Sequence, residues 1–138
     1  MIEIVLCDAF KLSVLMGYHQ YTDDYWMVLY WGDAELNRET YRYTPEGEVA
    51  GPGYEAGGLS LGATMVAVEN GVASMGWATP TWPNATIEAD GCLIYNASLP
   101  DMPSVCVVAF GQTHRSANGP FTPQIVGEPD LGRLIQWA

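Results

Sequence analysis

Along the first third of the chain, apolar positions switch from a nearly helical spacing to continuous strand-like runs. Between Asp8 and Met16, Phe10, Leu12, Val14 and Leu15 stand among Ala9, Lys11 and Ser13, and Gly17 supplies a stop, which predicts a short N-terminal helix. Tyr25 to Trp31 is aromatic and β-branched, preceded by Asp23 and Asp24 and followed by Gly32 and Asp33, which predicts a buried strand. Residues 37–58 contain Pro45, Pro52 and five glycines without a sustained period and read as a long Gly/Pro surface loop, with at most a short strand near Tyr41. Thr64–Val68 and Val72–Trp77 flank Glu69-Asn70-Gly71, where Asn-Gly suits the positive φ angles of a tight hairpin. Beyond Pro80 and Pro83, further strands are expected at Ala85–Tyr95, Ser104–Phe110, Phe121–Val126 and Arg133–Trp137, with Gly91 marking a bulge or a split.

Six or seven short strands separated by turn residues define an all-β class, an antiparallel β-sandwich or small barrel. The alternation nominates Val28, Tyr30, Val66, Val68, Leu93, Ile94, Val105, Val107 and Phe110 for the core. At 138 residues the chain suits one domain, residues 1–138, comprising an N-terminal segment (1–17), the loop (37–58) and the strands.

Charge narrows the partners. Lys+Arg 5 against Asp+Glu 16 gives a formal net charge of −11, so the field of the chain repels polyanions, and neither nucleic acid nor an anionic membrane is an expected partner. No apolar run approaches the ~20 residues of a membrane span. The N-terminus has no basic region ahead of its apolar residues and meets Glu3 and Asp8 early, so no secretory signal is read there. Cys7, Cys92 and Cys106 are odd in number and lack Cys-x-x-Cys spacing, which favours buried thiols over disulfides or metal.

Candidate chemistry is sparse. His19 and His114 lie at no metal-ligand spacing, so no metal site and no cofactor are assigned. Asp23-Asp24 reads as a solvated turn, because neighbours on a strand point to opposite faces. The glycines from Gly51 to Gly58 lack the Gly-Lys-Ser/Thr of a phosphate loop and instead allow tight turns, and no serine has the Gly-x-Ser-x-Gly context. No catalytic residue is assigned and the chain is read as a non-enzyme. Asn84-Ala-Thr and Asn96-Ala-Ser match the glycosylation pattern but are read as unmodified. Five tryptophans, Trp26, Trp31, Trp77, Trp82 and Trp137, with eight tyrosines serve either a small core or an exposed platform for sugars or protein partners.

Four blocks then occur in order: Tyr18-His-Gln-Tyr-Thr-Asp-Asp-Tyr-Trp-Met-Val-Leu-Tyr, Glu48-Val-Ala-Gly-Pro-Gly-Tyr-Glu-Ala-Gly-Gly, Trp82-Pro-Asn-Ala-Thr and Cys92-Leu-Ile-Tyr-Asn. With Val107-Val-Ala-Phe-Gly and Leu134-Ile-Gln-Trp, the chain resembles a family of small virion proteins of tailed phages and prophages over nearly its full length. It departs from that pattern at Glu88-Ala-Asp-Gly, where a basic residue is common. The resemblance implies a structural protein of the virion, assembled in the bacterial cytoplasm. A capsid decoration or cement protein on the outer head is the leading form, with neck, tail or tail-fibre association as the alternative. From another class, a carbohydrate-binding β-sandwich for host attachment remains open. The implied partners are the major capsid protein or other virion proteins and further copies of the chain, a trimer first. Val49, Pro52 and Tyr54 on the Glu46–Gly58 loop, Trp82, and the Ile2–Gly17 segment are the expected contacts.

Overall fold

The computed structural model describes residues 1–124 and 134–137, which form a mostly β, antiparallel structure with one short helix. In chain order the elements are β1 (Val5–Leu6), α1 (Asp8–Leu15), β2 (Tyr25–Tyr30), β3 (Leu59–Ser60), β4 (Met65–Glu69), β5 (Val72–Gly76), β6 (Trp82–Ala85), β7 (Glu88–Asn96), β8 (Ser104–Arg115), β9 (Gly119–Phe121) and β10 (Ile135–Trp137). A five-stranded sheet has the order β1-β8-β7-β2-β3, a three-stranded sheet the order β10-β5-β4, and β6 pairs with β9.

Continuous apolar runs in β2, β7 and β8 follow from burial of the five-stranded sheet on both faces. Along β2, Met27 and Leu29 belong to one cluster and Val28 and Tyr30 to another; along β7, Cys92 and Ile94 alternate in the same way with Leu93 and Tyr95. An antiparallel sheet usually leaves one face to water. Here Ile2, Ala34 and Leu36 cover the second face, with Tyr43 packed at its margin. The segment 37–58 is a loop with many exposed residues that also sends Tyr43, Val49 and Tyr54 onto the core clusters. It contains no strand, only isolated bridges of Glu48 to Tyr30 and Arg42 to Pro103, and hydrogen bonds such as Val49 N–H to the Leu29 carbonyl hold it to the sheet.

Helix α1 begins at Asp8 after the extended Cys7 and is followed by Gly17 at φ +77°, the stop the sequence predicts, and it buries Phe10 while Leu12 and Leu15 stay exposed. The hairpin is also as expected: Asn70 (φ 52°) and Gly71 (φ 78°) form a two-residue turn between Glu69 and Val72. The Ala85–Tyr95 run forms β7, which continues through Gly91 while Ala85 ends β6, and at Gly91 the expected irregularity is a slip of the β7–β8 register between Ala89 and Gly91. Pro83 is tolerated in β6 because, among the described residues, that strand pairs only with β9, which leaves an edge that needs no donor.

The described residues hold ten strands against the six or seven expected, the extra ones being the two-residue β1 and β3, too short to leave a period, and the four-residue β6 around Pro83. Strand β8 runs past Phe110 to Arg115, and the strand expected at Phe121–Val126 ends at Phe121, with residues 125 and 126 outside the described residues. Arg133 also lies outside them, and the last strand is Ile135–Trp137. Of the expected core, Val28, Tyr30, Leu93, Ile94, Val105, Val107 and Phe110 are buried, but Val66 is 54% and Val68 74% exposed. Both lie opposite the β5 positions Met75 and Ala73 and so share the face of Met75, which packs on the core. The alternation places them on the inward face of a hairpin that stands away from the rest of the molecule.

Candidate functional site

That separation leaves an open groove of about 950 Å³ between α1, the His19–Tyr25 turn and the sheet β10-β5-β4. Its walls are Leu6, Phe10, Val14 and Leu15 on one side and Val66, Val68, Met75 and Trp137 on the other. Volumes of this size are typical of binding clefts. Not one of the 16 acidic residues of the chain is among the described residues lining it, and Lys11, whose ammonium sits 3.3 Å from Asp8 Oδ1, is the single fully charged lining group. The lining is mostly apolar, with Lys11, His19, Gln20 and Tyr21 among its polar side chains.

His19 is the most constrained polar group on the groove. Asn96 Nδ2 lies 3.2 Å from its Nδ1 and also donates to Asp23 at 2.8 Å, while the Asn96 side-chain oxygen accepts from Ser98 N–H at 2.9 Å, which fixes the amide. Nδ1 is thus the acceptor and the neutral ring carries its proton on Nε2, which is buried without a partner among the described residues. Phe10 (4.9 Å) and Tyr25 (6.2 Å) flank the ring. Burial lowers its pKa from the ordinary value, against the opposing charge of Asp23.

The expected interface residues are not gathered on a surface. Val49, Tyr54 and Trp82 are buried, at 3%, 9% and 3% exposure, and all three belong to the main core cluster. Only Pro52 is exposed, and its carbonyl accepts from Thr86 N–H. The Gly-rich loop buries itself because its glycines permit close approach: a Cβ at Gly58 (φ +86°) would stand 1.9 Å from the Met27 carbonyl oxygen, and one at Gly53 (φ +85°) 2.0 Å from that of Asn84. Glu48 then ties the segment together. Its carboxylate accepts from Tyr43 and Tyr54 hydroxyls at 2.6 Å each and from Gly57 N–H at 2.8 Å. Tyr95 hydroxyl donates to the Gly57 carbonyl and Tyr30 hydroxyl to that of Thr44. Much of the tyrosine excess is spent on these anchors. Among the tryptophans only Trp137, 68% exposed, is an open platform.

Asp23 and Asp24 organise turns rather than chemistry. Asp23 accepts from Gln20 N–H and Asn96, and Asp24 from Trp26 Nε1 and Ser60 hydroxyl. The three thiols are free and buried, and burial raises the pKa of each. Among the described residues no group of three or more His, Cys, Asp or Glu could hold a metal ion. No helix of the described residues is long and apolar enough to cross a membrane. A smaller depression of about 370 Å³ lies between Trp31 and Ala117, beside the Glu88–Arg115 ion pair (3.2 Å). The groove is not legible in the alternation, which places Val66 and Val68 in the core. The signal was there in Met65-Val-Ala-Val, where both alternating sets are apolar, unlike a strand with one solvated face. Compared with known protein families, characterised proteins and solved structures, the chain matches none.

Proposed function

We propose that the protein is a non-enzymatic structural component of a tailed-phage virion, foremost a decoration protein of the outer capsid, built as a β-sandwich whose three-stranded sheet forms the smaller layer. Neck, tail or tail-fibre association is the alternative location. The order of the sequence blocks suggests the class. The observation that carries the reading is the open apolar groove on a clad, doubly buried sheet, a rigid body with one face suited to docking on protein. Many weak docking contacts on a repetitive shell add up through avidity. The acidity of the chain keeps free copies soluble and away from packaged nucleic acid.

The docking role passes from the Glu46–Gly58 loop to the groove walls, since Val49, Tyr54 and Trp82 are buried. Mass spectrometry of density-purified particles made by the virus or prophage that encodes the chain tests the proposal. A copy number comparable to that of the major capsid protein supports decoration, a few copies per particle support the neck or tail, and absence from particles overturns the reading.

A further inference from the structure

Strand β4 is the outer strand of its sheet, and among the described residues nothing pairs with its second edge. All five of its residues are exposed, none is proline, lysine or arginine, and its one charge is Glu69 at the end. Exposed edges are normally blunted by such residues, because bare main-chain donors and acceptors template further pairing. We propose that β4 is a self-pairing edge: two copies of this chain join antiparallel along Met65–Glu69 about a twofold axis at Ala67, making one six-stranded sheet.

The register follows from the hairpin. Glu69 and Val72 close a two-residue turn, so the main-chain groups of Glu69, Ala67 and Met65 face β5 and those of Val66 and Val68 face the open edge. With the axis at Ala67, Val66 meets the partner's Val68 and Val68 the partner's Val66, and all four outward donors and acceptors of each strand are used. Charge selects the same arrangement. Glu69 lies opposite Met65 of the other copy, leaving the two Glu69 carboxylates about 14 Å apart along the strand, from ~3.4 Å per residue, which exceeds the screening length of ~8–10 Å. A parallel pairing would set them on neighbouring positions. The occupant is a second copy because a chain of charge −11 approaches its like best where carboxylates are few: Glu69 is the one acid of β4, and the described lining of the adjoining groove has none. The seam also sets Val66 and Val68 of the two copies side by side. The proposal stands apart from the virion reading and replaces the three-fold contact by a two-fold one.

The test uses the full chain. Across the axis Ala67 meets its own copy in a non-hydrogen-bonded pair, with Cα atoms ~4.5 Å apart, within disulfide reach, whereas Val66 is about 8 Å from its own copy and outside it. Since Cys7, Cys92 and Cys106 are buried, mild oxidation of Ala67→Cys is expected to give a covalent dimer as the main species, and Val66→Cys little. Val68→Pro removes a donor that faces only the open edge, and in sedimentation it should weaken dimerisation about tenfold or more with the fold retained. A parent chain that sediments as a monomer at millimolar concentration, or as a trimer, overturns the proposal, as does equal cross-linking at positions 66 and 67. A chain that pairs in solution but is missing from particles leaves the seam standing and removes only the virion reading.

Discussion

Tyr54 and Glu48, six residues apart in a glycine-rich segment, are joined by a 2.6 Å hydrogen bond that turns a would-be surface loop into part of the core. The Tyr54 hydroxyl also accepts from the Leu29 N–H at 3.2 Å, so one side chain links the segment to β2. Glu48→Ala removes the acceptor shared by Tyr43, Tyr54 and Gly57. Hydrogen bonds to a charged group contribute ~1.5–3 kcal/mol each, so a loss of about 3 kcal/mol or more is expected in urea unfolding. Glu48→Gln should retain part of it, since its amide oxygen still accepts.

Gly58 and Gly62 both have positive φ but differ in surroundings, since a Cβ at Gly62 meets nothing within 4 Å. Gly62→Ala should cost about 1 kcal/mol, the usual penalty of a left-handed backbone. Gly58→Ala must displace the Met27 backbone and is expected to prevent accumulation of folded protein. Circular dichroism melts of the pair check this contrast.

Two valines on neighbouring sheets separate burial from alternation. Val107 is fully buried in β8, and Val107→Asp places an unpaired charge in the second cluster at a cost of several kcal/mol. Val68→Asp on exposed β4 should change monomer stability by only about 0.5 kcal/mol. Chemical denaturation at low protein concentration, where association does not contribute, distinguishes them.

His19 gives the fold a pH dependence. Its folded pKa lies below the ordinary 6.5, so as pH falls the unfolded chain takes up a proton before the folded one does. Stability from this group is complete above pH 6.5 and is lost as pH falls from there toward the folded pKa. The melting temperature is therefore expected to drop as pH falls below about 6.5, and His19→Gln should flatten that drop.

The chain by itself determined what depends on neighbours in sequence. The Asn70-Gly71 turn, the stop at Gly17, the Tyr25 strand and the slip near Gly91 rest on local backbone preferences, and each is where those residues require it. Burial of the three cysteines was also legible, because a free thiol behaves as a small hydrophobe and their number and spacing suit neither a disulfide framework nor a metal motif. The tertiary structure alone decided which apolar residues meet other apolar residues. Val49, Tyr54 and Trp82 are buried because Gly53 and Gly58 let distant backbone segments approach, a relation between positions up to 31 apart that no local period records. Val66 and Val68 have the alternation of core residues and face inward, yet they line an open groove, because alternation specifies which face a side chain takes and only the packing of sheet against helix specifies whether that face is covered.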